Sequence, residues 1–349
     1  MLGYVIKRLL LMIPTLVGIL LVSFAIIQFV PGGPVEQLVQ ELRGASLAGE
    51  VSTSAAGLYR GAQGVDSERL KEIRELYGFD KPATQRFVEM LARYARFDLG
   101  HSYFHHKSVW QLMIDKLPVS ASLGFWSFLL VYAVSIPLGI AKAVRNGSRF
   151  DLWTSTVILI GYAIPGFVLG VALLVFFGGG SFLQWFPLRG LTSDNWSELS
   201  LAGQILDYFW HLAMPLTCLV VGSFAVTTML TKNTFLEEVR RQYVMTARAK
   251  GLSERRVFYR HVFRNALIPL VTAFPAAFIG AFFTGSLLIE TLFSLDGLGL
   301  LSYEAVVKRD YPVVLGSLYV FSLIGLMTKL ITDVLYTWVD PRVKFGAES

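Results

Sequence analysis

Residues 9–30 read LLLMIPTLVGILLVSFAIIQFV, 22 residues without a charge, and they stop at Pro31-Gly32-Gly33-Pro34. A helix rises about 1.5 Å per residue, so roughly 20 apolar residues cross the ~30 Å hydrocarbon core of a bilayer. In that medium each backbone amide must bond within its own segment, which makes such a stretch helical. Lys7 and Arg8 precede it, as a positive region precedes a signal peptide. Signal h-regions, however, run only about 7–15 residues and end at a small-residue cleavage site. The stretch is therefore expected to be an uncleaved first span.

Five further stretches are apolar over similar lengths, uncharged but for Lys142 in the first and Lys329 and Asp333 in the last: Ser120–Val144, Leu152–Phe177, Leu212–Thr231, Ala266–Ile289 and Val313–Leu335. Across 349 residues, 54% are hydrophobic and 16% charged, against about 25% charged in soluble domains. The apolar residues form long blocks, which marks a membrane protein and not a large soluble core. The expected fold class is an all-α polytopic membrane protein with six transmembrane helices. Its expected organisation is an N-terminus and first helix at 1–30, a segment at 31–117, a five-helix core at 118–336 and a tail at 337–349. The only cysteine, Cys218, lies inside a span, which excludes a disulfide framework.

Orientation follows from the connections. The net charge is +6, and its distribution points to membrane topology, with no nucleic-acid partner expected. The stretch 232–264 holds nine Lys and Arg against Glu237, Glu238 and Glu254. The short loops 178–208 and 290–312 together hold three Lys and Arg against seven acids. The long segment 31–117 balances 11 basic residues with 11 acidic ones, and long translocated segments are largely exempt from the charge rule. Both termini are expected in the cytoplasm and 31–117 on the opposite, external side.

Within that external segment, 43–65 is rich in Gly, Ala and Ser and reads as a flexible insertion. After Gly78-Phe79-Asp80-Lys81-Pro82, the residues Phe87, Met90, Leu91 and Tyr94 recur at helical spacing up to a stop near Gly100. This predicts an amphipathic cap on the outer face. Gly166 with Gly170, and Ser135 with Gly139, are small-xxx-small pairs that let helices approach closely, and Pro137 and Pro165 predict kinks. Lys329 and Asp333, four apart near the end of the sixth span, are placed for a local ion pair, and Lys329 can also snorkel to headgroups.

The stretch Lys232–Asn265 carries the functional signal. Phe235, Val239, Tyr243 and Ala247 recur every four residues, which predicts one helix with an apolar face and a basic opposite face. Lys250-Gly251-Leu252-Ser253 then breaks it, with Gly251 suited to a left-handed C-cap and Ser253 to an N-cap. Glu254 falls in the new first turn, where the helix dipole favours an acid. On these features alone, anionic lipid contact and docking of a soluble partner both remain open.

The run Gln242-Tyr243-Val244-Met245-Thr246-Ala247-Arg248-Ala249-Lys250-Gly251-Leu252-Ser253, followed by Arg260-His261-Val262-Phe263-Arg264-Asn265-Ala266, resembles the EAA loop of binding-protein-dependent ABC importers. The family's Glu-Ala-Ala-xxx-Gly falls on Met245, Thr246, Ala247 and Gly251, so two of those four positions depart from it. The form TARAKG followed by RN is similar to the oligopeptide branch. Further resemblance lies in Arg8-Leu9-Leu10, Pro31-Gly32, Tyr77 to Pro82, Phe97 to Ser102, Glu290 to Ser294, Gly297-Leu298-Gly299, Arg309 to Pro312 and Asp340-Pro341-Arg342. The 43–65 insertion and Asn146 to Asp151 resemble the Yej-type branch, which is associated with peptides and the peptide-nucleotide microcin C.

The resemblance implies a type I ABC importer permease fold in a bacterial inner membrane. It implies a homologous second permease, a cytoplasmic ATPase with two nucleotide-binding domains and a periplasmic peptide-binding protein, with membrane lipid around the spans. Tyr243, Thr246, Ala247, Arg248, Ala249, Lys250, Gly251, Leu252 and Ser253 would then be the ATPase-coupling residues. The small side chains at 246, 247, 249 and 251 would enter a cleft on the ATPase. The chain would bind no cofactor, with ATP and Mg on the partner, and would transport oligopeptides or peptide-like compounds. A dipeptide or nickel-type substrate in the same family is the alternative, and a stand-alone secondary transporter a more distant one.

Catalytic and metal signals are weak. No GxxxxGK[ST] sequence is present, so ATP phosphates have no P-loop here. His101, His105 and His106 lack a nearby Cys or an HExxH pattern, and no metal is expected. Gly178-Gly179-Gly180 reads as the end of a span and Gly297-Leu298-Gly299 as a turn. The acids Glu290, Asp296, Glu304 and Asp310 have two readings, contact with a binding protein or cationic substrate, and solvated charge. No substrate-binding residue is marked.

Overall fold

A computed structural model describes residues 2–29, 80–105, 107–178, 182–283 and 286–339. The 43–65 insertion, most of the extended segment, His106, and the 340–349 part of the tail lie outside the described residues, as do Pro31-Gly32 and Gly179-Gly180. Among the described residues the regular structure is helical, apart from one isolated bridge between His101 and Ser108.

Four helices are long and apolar enough to cross a membrane alone: α1 (Leu2–Phe29), α3 (Val109–Val144), α6 (Leu201–Val239) and α12 (Tyr311–Val339). Two bent pairs raise this to as many as six among the described residues, if each pair is one span. The first pair is α4 (Arg149–Ala163) with α5 (Gly166–Gly178), which meet at 88°. The second is α8 (Glu254–Ala266) with α9 (Ile268–Phe283), which meet at 45°. The span expected over Leu152–Phe177 is thus broken, not merely kinked. Ile164 before Pro165 is extended, because the proline ring disfavours a helical preceding residue. Shorter helices are α2 (Ala83–Tyr94), α7 (Gln242–Ala249), α10 (Leu287–Leu292) and α11 (Leu298–Val307).

The chain forms two compact units. The larger comprises 1–8, 116–301 and 324–349. Its core gathers Leu123, Leu212, Met214, Leu216, Cys218, Ile289, Phe293 and Leu295. Gly166 and Gly170 permit close packing there: a Cβ on Gly166 would stand 2.8 Å from the Cys218 carbonyl oxygen, and one on Gly170 2.5 Å from Leu292. Gly139 does the same for α3 and α6, where a Cβ would stand 2.6 Å from Thr231. The small-residue pairs are packing devices, as their spacing predicts.

Asp333 does not match the expected local pair with Lys329, which is exposed. Instead it accepts a 2.9 Å hydrogen bond from the Tyr4 hydroxyl and meets Arg8 at 2.9 Å, holding the first turns of α1 to the last turns of α12. A helical ladder permitted the i,i+4 pair, but a partner from another helix lies within reach and takes the carboxylate.

The smaller unit comprises 9–115 and 302–323. Helix α2 realises the amphipathic pattern: Phe87 packs on Phe24 with ring centroids 5.3 Å apart, and Tyr94 on Tyr319 at 5.1 Å. After α2 the chain turns through Phe97 and Gly100, both at positive φ, and Trp110 Nε1 donates to the Phe97 carbonyl at 2.7 Å.

Candidate functional site: a helix, glycine turn and helix with its own core

The four-residue apolar period over Phe235 to Ala247 is not one helix. Helix α6 ends at Val239, Arg241 is extended, and α7 begins at Gln242. The periodic side chains nevertheless converge. Phe235, Val244, Ala247, Val257, Val262 and Ala266 are buried together with Ala143 at the end of α3, and Ile140, Leu236, Val239, Tyr243 and Leu252 pack around them. A bend between two helices lets both apolar faces meet one core, which a straight helix would have spread along one side.

Gly251 supplies the turn. Its φ is +78°, where a side chain is strained, and a Cβ there would meet nothing within 4 Å. The Gly251 and Leu252 amides bond back to Arg248 and Ala247 carbonyls, closing α7 with a left-handed residue. Ser253 stands at the N-cap position of α8, but its hydroxyl makes no capping bond. The turn is spanned instead by Glu254, which Arg248 grips through two bonds of 2.8 and 3.1 Å. This bidentate pair is exposed, so it adds to the turn's hold only modestly.

The loop closes on Tyr243. Its hydroxyl donates to the Glu238 carboxylate and receives a 3.0 Å bond from Asn265 Nδ2, joining the end of α6 to α7 and α8. Burial first, and then the donation to Glu238, pushes this phenol above its ordinary range.

The nine expected coupling residues therefore divide. Thr246, Arg248, Ala249, Lys250, Gly251 and Ser253 are exposed along the tip. Ala247, only 5% exposed, is turned into the loop's own core, and Tyr243 and Leu252 support that core. The small size of Ala247 thus serves internal packing and not entry into a cleft. Met245, 63% exposed, joins the outward face, and its place on α7 beside Thr246 and Ala249 is a signal that sequence spacing alone missed. Beyond the turn, Ser253, Arg255, Arg256, Tyr259 and Arg260 line an open basic recess of about 470 Å³.

The four acids divide: Asp296 and Glu304 keep exposed side chains, as solvated charge would, while Glu290 and Asp310 are buried. Glu290 is fully buried and accepts bonds from Ser120 Oγ (2.9 Å), the Ser286 amide (3.2 Å) and the Leu300 amide (2.9 Å). Gly297 and Gly299 crowd the same carboxylate, so that Gly-Leu-Gly is the lid over Glu290 rather than a free turn. Asp310 is 2% exposed, receives the Ser102 hydroxyl and the Tyr103 amide, and its carboxyl is raised by burial. Asp296 pairs with Lys116, and Glu304 with Lys308 at 3.0 Å. Among the described residues, no three His, Cys, Asp or Glu gather as a metal site.

Residues 135–345 match the family described as binding-protein-dependent transport system inner membrane component. The chain is 56% identical to the peptidoglycan transport system permease protein YejB of Agrobacterium fabrum, over 98% of each chain. It is 53% identical to the inner membrane ABC transporter permease protein YejB of Escherichia coli O157:H7, over 98% of this chain and 99% of that one. It is 31% identical to the dipeptide transport system permease protein DppB of Escherichia coli K12, over 99% of each. Among solved structures, the inward-facing MetNI methionine ABC transporter aligns with 66% of this chain and 96% of its own, at 17% identity and a TM-score of 0.47.

Proposed function

The chain belongs to the inner membrane components of binding-protein-dependent transport systems, and from that premise we propose that its 242–266 loop is where an ATP-hydrolysing partner drives it. It is a multi-pass membrane permease subunit of an ABC importer, and ATP chemistry falls to a separate partner. In our reading a homologous permease completes the pathway, an ATPase with two nucleotide-binding domains docks on the loop, and a periplasmic binding protein delivers substrate. Both termini and the loop then lie in the cytoplasm, as the nine basic residues of 232–264 favour.

One observation carries the coupling reading. The loop has a buried core shared with the ends of α3 and α6, while Met245, Thr246 and Arg248 through Gly251 at its tip are open. A rigid knob rooted in two spanning helices passes a displacement to them, whereas a flexible basic segment on lipid would absorb it. Substrate class rests on the relatives, whose names give peptidoglycan and dipeptide transport. We propose short peptides and peptide-bearing compounds, the peptide bond being what these cargoes share, with microcin C among the probes.

The test is to purify the tagged chain from its native membrane in mild detergent, identify the chains that come with it and measure uptake of a labelled tripeptide in reconstituted vesicles. A second permease, an ATPase and ATP-dependent uptake are expected. A homogeneous single chain that transports alone would overturn the reading.

A further inference from the structure

The turns of α3, α4 and α6 nearest the loop hold a buried charge cluster that neither the coupling loop nor the spans require. Lys142, fully buried, donates from Nζ to the Asp151 carbonyl (2.9 Å), Thr154 Oγ1 (2.8 Å) and Ser155 Oγ (2.7 Å), and lies 3.0 Å from Asp151 Oδ1. Lys232 donates to both oxygens of the same carboxylate, at 2.8 and 2.7 Å. The Gly147 amide adds a further bond to Asp151 at 3.1 Å. One aspartate on α4 thus holds a lysine from α3 and a lysine from α6.

Two lysines on one aspartate leave an excess positive charge in a buried place, which is costly unless each group is well bonded. Packing alone would be served by apolar side chains, so the ions fix something that apolar contact does not: the mutual position of three helices. The cluster's place says what is being positioned. Ala143, next to Lys142, and Phe235, three residues after Lys232, are both members of the loop's core. Three residues before Lys142, and one before Lys232, α3 and α6 already touch closely at Gly139 and Thr231. Farther along that seam, the buried Ser135 and Thr228 hydroxyls have no hydrogen-bond partner among the described residues, so the directional hold there falls on the lysines.

We infer that Lys142, Asp151 and Lys232 form a clamp that makes α3, α4 and α6 follow the coupling loop as one body. They are positioning residues: they touch neither ATP nor substrate. Lys232 is the informative one. Its removal leaves Lys142 and Asp151 as a balanced pair with every other bond in place, so the chain keeps its fold while α6 loses its ionic tie to α4. Removal of Asp151 strands two buried ammonium groups and is expected to prevent accumulation of the chain.

This inference rests on the coupling role proposed above. The test uses the whole complex in proteoliposomes and reads peptide transported per ATP hydrolysed. Lys232→Met is expected to keep the ATPase bound and hydrolysing while the ratio falls about tenfold, the scale of an ordinary coupling energy. Lys232→Arg, whose guanidinium reaches both carboxylate oxygens, is expected to restore most of it. Lys232→Gln, which keeps a hydrogen bond but drops the charge, gives the same reading if the methionine variant does not assemble. A wild-type ratio in the methionine or glutamine variant overturns the clamp, as does joint loss of assembly in all three. A wild-type complex with no ATP-dependent uptake would instead sink the functional reading.

Discussion

Gly251 and Glu290 suit their places for two different reasons. Gly251 is needed for its backbone, at φ +78°, and for the bare surface it leaves on the tip. Gly251→Asn, which tolerates the left-handed region, is expected to cost under about 1 kcal/mol and keep uptake. Gly251→Arg adds bulk to the open face, and uptake with stimulated ATPase activity should disappear; wild-type values would place docking elsewhere. Glu290 is needed as an acceptor. Glu290→Ala orphans three donors, at about 1–3 kcal/mol each, and should lower the melting temperature in detergent by many degrees. Asp310 gives a pH signature. Its pKa is raised in the folded chain, so the folded state binds the proton more tightly and the stability this group contributes is lost as pH rises through that raised value. The stability of the wild type relative to Asp310→Asn should therefore fall as pH rises above about 4, the ordinary aspartate range. A flat difference would mean that the buried carboxyl is not protonated in the fold.

At the scale of elements, the loop shares one core with the ends of α3 and α6, and Phe235 is at its centre. The ring is fully buried, with the rings of Phe258 and Phe263 at 5.6 and 5.8 Å. Phe235→Ala leaves a cavity worth about 3–5 kcal/mol. The spans, held by other contacts, should still insert, while the ATPase no longer co-purifies. Retained ATPase binding would show that the tip docks without its core. The bent pair α4 and α5 makes a parallel case: Gly166 lets the second half pack against the Cys218 carbonyl, so the break at Pro165 is built into the bundle and not only into the proline.

For the whole molecule, the proposed orientation puts Met245 in the cytoplasm and Tyr303 outside, and both side chains are exposed. With Cys218 replaced by serine, Tyr303→Cys should react with an impermeant thiol reagent on spheroplasts, and Met245→Cys only after the membrane is opened. The reverse pattern would invert the topology. The same experiment tests the charge argument at its source, since Lys and Arg in short loops set the orientation.

The helical membrane class and the glycine turn are legible in the sequence, because each depends on local quantities: an apolar length, a period, a residue that tolerates positive φ. The sequence also carried the family resemblance, since that lies in ordered motifs along most of the chain. Only the tertiary structure decided that the apolar period over Phe235 to Ala247 bends at Arg241, that Ala247 points inward, that Asp333 takes Arg8 and Tyr4 over Lys329, and that Glu290 and Asp310 are buried. Lys142, Asp151 and Lys232 were individually unremarkable for the same reason. A buried charge is stable only where its partners arrive from other helices, and that meeting is written in no single stretch of chain.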